Sequence, residues 1–242
     1  MPTDYDTIAE RYRKAKQQPW RSAVEAFTLL DLAGDVSGLE VVDLACGEGH
    51  YTRPLKQKGA ARTVGVDLSA GMIGLAKERE EAEPLGIEYL VGDALALPSI
   101  GPFDLAFAAY LLNYARSREE LEAMCRGVAN CLRPGGRFVA ANTSPFVDYA
   151  RTPELEKYGV SVRAEGPLRE GTPITWTFLL DDGPLHVENF YLDAKAHDEA
   201  LRAAGFREVA WHRPRLSPAR GEVNGWGAFL DIAPVVFLEC RK

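Results

Sequence analysis

The chain has 242 residues, 46% of them hydrophobic, which suits one globular domain able to bury a core of its own. A net charge of −7 and a pI near 5.3 disfavour a nucleic-acid partner, which usually demands a basic face, and point to a small-molecule one. Cys46, Cys125, Cys131 and Cys240 lack a paired spacing, and His50, His186, His197 and His212 show no ligand spacing, so neither a disulfide framework nor a metal site is expected.

Met1 to Asp6 lacks the basic and apolar regions of a signal peptide, and no apolar run reaches the ~18 residues needed to span a bilayer. A cytoplasmic chain without membrane contact is expected, with the oligomeric state left open. Residues 4–34 read as one or two helices, with Tyr5, Ile8 or Ala9, and Tyr12 on one face. Strands and helices then alternate: a strand over 40–45, a helix over 49–58 ended by Gly59, a strand over 62–67, a helix over 70–82, and strands over 87–91 and 103–109.

Ser117-Arg118-Glu119-Glu120 forms a capping box, and Leu121, Met124, Cys125, Val128 and Leu132 keep helical spacing up to a stop at Pro134-Gly135-Gly136. A strand over 137–142 follows. This succession implies right-handed crossovers and an α/β fold with a largely parallel, doubly wound sheet, with ligands bound beyond the carboxyl ends of its strands. After residue 143 the prolines Pro145, Pro153, Pro167 and Pro173 mark a loop. Two β-like runs, 174–180 and 185–192, then flank Asp181-Asp182-Gly183-Pro184 and predict a hairpin. A helix from Asp193 as N-cap to Gly205 as C-cap, and strands over 206–212 and 235–240, complete the chain.

The stretch that carries the most chemistry is Val41-Val42-Asp43-Leu44-Ala45-Cys46-Gly47-Glu48-Gly49, a strand running into a glycine turn ahead of a helix. Gly47 and Gly49 allow a tight turn that approaches a ligand closely, and the helix end behind them offers free N–H groups to an anion. Such turns serve dinucleotides and S-adenosylmethionine alike. The dinucleotide fingerprint wants a third small residue where Thr52 stands, and a pyrophosphate has no use for Asp43 just before the turn, whereas an ammonium group does. A nicotinamide oxidoreductase is the competing reading, separated by whether NAD binds. Asp67, roughly twenty residues past the turn, stands where an acid can accept both ribose hydroxyls; a cap for the helix that starts at Ala70 is the lesser alternative, and Ser69 could supply that cap as well.

The Asp-Leu-Ala-Cys-Gly-Glu-Gly run resembles the first motif of the class I S-adenosylmethionine-dependent methyltransferases, and the order of features resembles that family over residues 35–140. The resemblance implies S-adenosylmethionine as cofactor and a Rossmann-like seven-stranded, mostly parallel sheet closed by the last two strands. Asp43, Ala45, Gly47 and Gly49 would belong to the cofactor turn. Asp67 would hold the ribose, Leu68 and Met72 would wall the adenine, Asp93 in Gly92-Asp93-Ala94 would accept from its amino group, and Ala94 and Ala109 would lie beside it. A turn-stabilising aspartate is the plainer reading of Asp93. Asp104 is expected to be structural.

Tyr5, Tyr12, Trp20 and Arg21 resemble a helical lid over the cofactor, with aromatic faces suited to a sulfonium and Arg21 to the methionine carboxylate; packing of an amphipathic helix is the plainer reading of any one tyrosine. His50 is expected to be a solvated residue at a helix start. Tyr110, Asn113 and Tyr114, after the fourth strand, are the candidates to face a methyl acceptor. Leu111-Leu112-Asn113-Tyr114 lacks the Asn-Pro-Pro-Tyr pattern of DNA and protein amide methyltransferases, which again favours a small-molecule acceptor.

Trp176, Phe178, His186, Phe190 and Tyr191 on the hairpin, with Trp226 in a loop, could stack on a flat ring; for each residue alone, packing of the hairpin on the sheet is the favoured reading. With the ending Val235 to Lys242, the layout resembles the toxoflavin-type methyltransferases, which share the N-terminal Tyr-Asp-x-Ile-Ala start and imply a planar nitrogen heterocycle or an amine as acceptor. One domain over 1–242 is expected: a helical lid (1–34), a cofactor-binding core (35–142), an acceptor cap built on the β-hairpin (143–192), and a C-terminal helix with closing strands (193–242). Transfer to oxygen or carbon with His186 or His212 as base, and a protein that binds the cofactor or its demethylated product without turnover, are the alternatives.

Overall fold

Asp4 caps the first helix by accepting from the Asp6 N–H in the computed structural model, which describes residues 4–96, 100–220 and 225–242. Met1 to Thr3, part of the stretch read as lacking a signal peptide, lie outside the described residues. Helix α1 (Tyr5–Ala15) buries Ala9, Tyr12 and Ala15, and a π-helical turn over Arg21–Glu25 runs into α2 (Ala26–Ala33), which ends at Gly34 with φ +71°.

The sheet is built from β1 (Glu40–Leu44), β2 (Arg62–Asp67), β3 (Glu88–Val91), β4 (Phe103–Ala109) and β5 (Leu132–Thr143), joined by α3 (Thr52–Gln57), α4 (Ala70–Ala82) and α5 (Arg118–Cys131). The C-terminal part adds β9 (Arg207–His212) and β10 (Val235–Arg241) in the order β3-β2-β1-β4-β5-β10-β9. β10 pairs antiparallel to both neighbours and the other pairs are parallel, as expected for a doubly wound sheet closed by its last two strands. β1 lies between β2 and β4, so its side chains meet protein on both faces: Val41 joins Leu105, Phe107 and Val139 in one core, while Val42, Leu44, Val64 and Ala106 form the other. Ser117 caps α5 through the Glu120 N–H, but the Glu120 carboxylate turns away from the capping box to Arg116.

Three elements differ here from the sequence expectation, and a fourth lies in the second sheet. The helix expected over 49–58 begins only at Thr52, because Ala45, Gly47 and Gly49 take φ of +59°, +57° and +84° and the chain is still turning through Tyr51. The glycine turn therefore does not deliver a ligand straight to a helix end. The stop at Pro134-Gly135-Gly136 lies inside β5, since Leu132 already pairs with Phe103 and the Gly135 N–H donates to the Lys242 carbonyl. Residues 227–232 of the expected loop form α7 (Gly227–Ile232).

The hairpin, β7 (Pro173–Leu180) with β8 (Gly183–Phe190), turns tightly on Asp181-Asp182, and it carries a third strand, β6 (Val160–Ala164), paired with β7. Trp176, Phe178, Val160 and Val162 of this second sheet pack in one core with Tyr12, Trp20 and Val24, so the second sheet leans on the N-terminal helices. Helix α6 (Ala194–Ala203) starts at Asp193, whose side chain accepts from the Ala196 N–H. Among the described residues no helix is long and apolar enough to cross a membrane.

Candidate functional site

A cavity of about 300 Å³ opens beyond the carboxyl ends of β1, β2 and β4, under α1. Of the residues singled out in the sequence, Tyr5, Tyr12, Ala45, Gly47, Asp67, Leu68, Met72, Asp93, Ala94 and Ala109 line it, together with Tyr110 and Tyr114. Arg21, Asp43, Gly49 and Asn113 do not.

Asp67 ends β2 with one carboxylate oxygen accepting the Gly47 N–H at 2.8 Å and the other the Ser69 N–H at 2.9 Å. It ties the glycine turn to the start of α4, while the helix cap itself is Ser69, which accepts from the Met72 N–H. Burial pushes the Asp67 carboxyl up, against the pull of those two amides. Asp93 lines the cavity at its far end and accepts from the Leu95 N–H at 2.9 Å. Asp104 is structural, accepting from the Glu40 N–H and from Arg133.

Asp43 sits behind the turn rather than on the cavity wall, 1% exposed. One of its oxygens accepts from the Thr52 hydroxyl at 2.6 Å, and the other is buried without a partner. Burial pushes its carboxyl up to about 7. The folded protein thus holds a proton that the unfolded chain, with an aspartate near pKa 3.9, has already released, so the contribution of Asp43 to stability is fully present below about pH 4 and is lost as pH rises through about 7. Relative to Asp43→Asn, the ligand-free wild type is expected to lose stability across that window; denaturant midpoints that stay parallel for the two proteins would contradict this. Gly49 serves packing: a Cβ there would stand 2.3 Å from the Tyr89 hydroxyl.

Arg21 departs most from expectation. Its Nη1 donates at 2.9 Å to both carboxylate oxygens of Glu25, and its guanidinium lies over Trp20, 4.4 Å from the ring centroid, with Tyr110 and Phe178 each at 5.3 Å. Glu25, 0% exposed, also accepts from the hydroxyls of Tyr51 and Tyr110. Burial alone would raise its carboxyl, but Arg21 and the two hydroxyls outweigh that and hold it below the usual range. Arg21 is therefore neutralised inside a closed network and does not reach the cavity. Two cations do line it, Arg116 at the exposed rim and the buried Lys16, which nothing in its local sequence pattern separates from Arg13 and Lys14.

Tyr5 and Tyr114 share a hydroxyl–hydroxyl hydrogen bond across the cavity, with Tyr12 edge-on to Tyr5 at 5.0 Å. Tyr110, at φ +68°, enters the wall from the end of β4. Asn113 is 2% exposed, and neither its amide nitrogen nor its oxygen has a partner. From the second sheet only Phe190 lines the cavity; Trp176 stacks in the core between Trp20 and Phe178, Trp226 stacks on Tyr158, and His186 is exposed beside Thr177. His212 lies 3.6 Å from Glu239, away from the cavity, and His197 is held by Asn142 and the Asp193 carbonyl. His50 is half-buried in the turn before α3 rather than freely solvated at a helix start, and burial, reinforced by Lys16, pushes it down to about 3. Among the described residues no three His, Cys, Asp or Glu side chains gather into a metal-binding group.

A parallel sheet whose cavity presents an acid at the end of β2, apolar walls and an aromatic cover defines the class of nucleoside-binding Rossmann-like proteins. Comparison with known proteins makes this specific. The methyltransferase domain family matches residues 41–136. The N-demethylindolmycin N-methyltransferase of Streptomyces griseus is 31% identical over 220 residues, covering 86% of this chain and 90% of that protein. The demethylmenaquinone methyltransferase of Lactococcus lactis subsp. lactis is 32% identical over 149 residues, 60% of this chain and 56% of its own length. Among solved structures, the CcbJ methyltransferase from Streptomyces caelestis superposes with a TM-score of 0.70 at 20% identity, covering 99% of this chain and 98% of that one.

The chain belongs to the S-adenosylmethionine-dependent methyltransferase family. Its cofactor is S-adenosylmethionine, and the residues present fit it. Asp67 faces the cavity as a hydrogen-bond acceptor, Leu68 and Met72 are apolar walls, and the Lys16 ammonium is open to the same space.

Proposed function

We propose that this protein transfers the methyl group of S-adenosylmethionine to a small molecule, at a nitrogen of a planar heterocycle or at an amine. The observation that carries this reading is the composition of the wall near Tyr110. The cavity is covered there by Tyr5, Tyr12, Tyr110, Tyr114 and Phe190, rings that suit a flat acceptor, and neither His186 nor His212 lines it. The identity to an N-methyltransferase along nearly its whole length supports the same reading, as do the toxoflavin-type features of the sequence.

When bound, S-adenosylmethionine supplies a methyl group on a sulfonium, already activated for in-line displacement. What this chain adds is position and dryness. In this reading Asp67 accepts from the ribose hydroxyls, Asp93 from the adenine amino group, and Leu68 and Met72 flank the base. Ala45, Gly47, Ala94 and Ala109 keep the floor narrow, Tyr5 and Tyr12 cover it, and Tyr110 and Tyr114 contact the acceptor. The hydroxyls of Tyr110 and Tyr114 are engaged by Glu25 and Tyr5, so they orient rather than deprotonate, and an amine acceptor releases its proton to water. Residues 1–242 act as one methyltransferase unit in this proposal, with the three-stranded sheet as the acceptor cap. Asn113, being off the cavity wall, is given no part in the reaction.

The test is an acceptor screen with S-adenosylmethionine, read by mass spectrometry as a gain of one methyl group. Planar nitrogen heterocycles and amines are expected to be methylated at undiminished rate in EDTA. Methylation confined to phenols or carbon acceptors would overturn the nitrogen assignment, and a requirement for a divalent metal would overturn the positioning mechanism. Binding of the cofactor with no turnover of any acceptor would favour a non-catalytic binder.

A further inference from the structure

Lys16 sits at the C-terminal end of α1 with only 6% of its surface exposed. Its ammonium lies 5.3 Å from the centroid of the Tyr12 ring and 5.8 Å from that of Tyr51. A Cβ added to Gly47 would stand 3.9 Å from it, so the charge hangs directly over the glycine turn, next to the residue whose N–H is held by Asp67. Yet among the described residues no carboxylate comes within ion-pair distance of it, and it donates no hydrogen bond.

That arrangement is unusual within this molecule. The other buried cations among the described residues are both paired, Arg21 with Glu25 and Arg53 with Glu80. Arg116, which also touches the cavity, is largely exposed and holds Glu120. A desolvated ammonium is costly unless it is paired. Asp43, Asp67 and Glu25 act on Lys16 only from longer range. A carboxylate brought in by the ligand would complete the site, and the position over Gly47, whose N–H donates to Asp67, puts the ammonium within reach of the arm of an adenosyl ligand bound at that acid.

We infer that Lys16 binds the carboxylate of the cofactor's amino-acid arm, and that through it α1 distinguishes adenosyl ligands that carry this carboxylate from those that lack it. This rests on the methyltransferase reading of the cavity.

The experiment is isothermal titration of wild type, Lys16→Met and Lys16→Arg with two probes. One is S-adenosylhomocysteine. The other is 5′-methylthioadenosine, which keeps the adenosine and the thioether but has no amino-acid arm. Lys16→Met is expected to weaken S-adenosylhomocysteine at least about tenfold, the scale of one lost hydrogen bond to a charged group, and to leave 5′-methylthioadenosine within about twofold. Lys16→Arg should recover part of the loss. An equal loss for both probes would make Lys16 a packing residue, and no loss for S-adenosylhomocysteine would also overturn the inference. A wild type that binds neither probe would instead bring down the cofactor assignment of the cavity, an outcome distinct from a Lys16 variant that behaves like wild type.

Discussion

Replacing Glu25 with alanine is expected to lower stability by about 3–5 kcal/mol, the range for removing one partner of a buried ion pair. The loss comes from what is left behind. Arg21 would keep its charge in a slot between Trp20, Tyr110 and Phe178, where its Nε already lacks a partner, and the hydroxyls of Tyr51 and Tyr110 would lose their acceptor. A double replacement, Arg21→Met with Glu25→Leu, removes both charges and refills the volume; it is expected to be milder, because apolar substitutes for a buried pair are often neutral, and the loss that remains is that of the acceptor for the Tyr51 and Tyr110 hydroxyls. Denaturant midpoints for the two variants check this. A single-variant loss under about 1 kcal/mol would mean that another group compensates Arg21.

The second large effect is on binding. Asp67→Ala is expected to weaken S-adenosylhomocysteine by about a hundredfold, since each hydrogen bond to a charged acceptor contributes about 1.5–3 kcal/mol and a tenfold change corresponds to about 1.4 kcal/mol. Asp67 also accepts from the Gly47 and Ser69 N–H groups, so the variant slackens the turn as well as losing ribose contacts. Asp67→Asn keeps the size of the side chain while reducing its accepting power, and should fall between wild type and alanine. Titration calorimetry decides: unchanged affinity in Asp67→Ala would mean that Asp67 only braces the turn.

Much of this was legible in the sequence because it is encoded locally. The alternation of strands and helices, the Asp193 cap and the spacing from Gly47 to Asp67 are all set within a few turns of chain, and the sheet follows from them. What sequence reading missed was assembled from distant elements. Lys16 acquires its meaning from Gly47 and Tyr51, which reach it only after α1 folds over the sheet. Glu25 becomes a hub because Tyr51 and Tyr110, 26 and 85 residues further on, point at it.

A signal against Arg21 was nevertheless present. Glu25 stands four residues on, a spacing that places both on one helical face and pairs them. The third strand of the second sheet, β6, was passed over because Val160-Ser161-Val162 alternates for too short a stretch to stand out from the proline-rich loop before it. The hairpin aromatics divide between packing and stacking on a ligand: Trp176 and Phe178 face the core, as packing of each alone implies, while Phe190 reaches the cavity, a division that only the register of β7 against β6 and β8 determines.

Helix α1 is moored at both ends to different parts of the molecule. Asp6 accepts from the Ser69 hydroxyl and the Gly71 N–H at the head of α4, and Arg11 and Lys14 reach Asp182 at the tip of the hairpin. The moorings at the hairpin are exposed ion pairs, weak and screened by salt. The same helix sets Tyr5, Tyr12 and Lys16 along the cavity wall, so a change at either mooring is felt at three lining residues together.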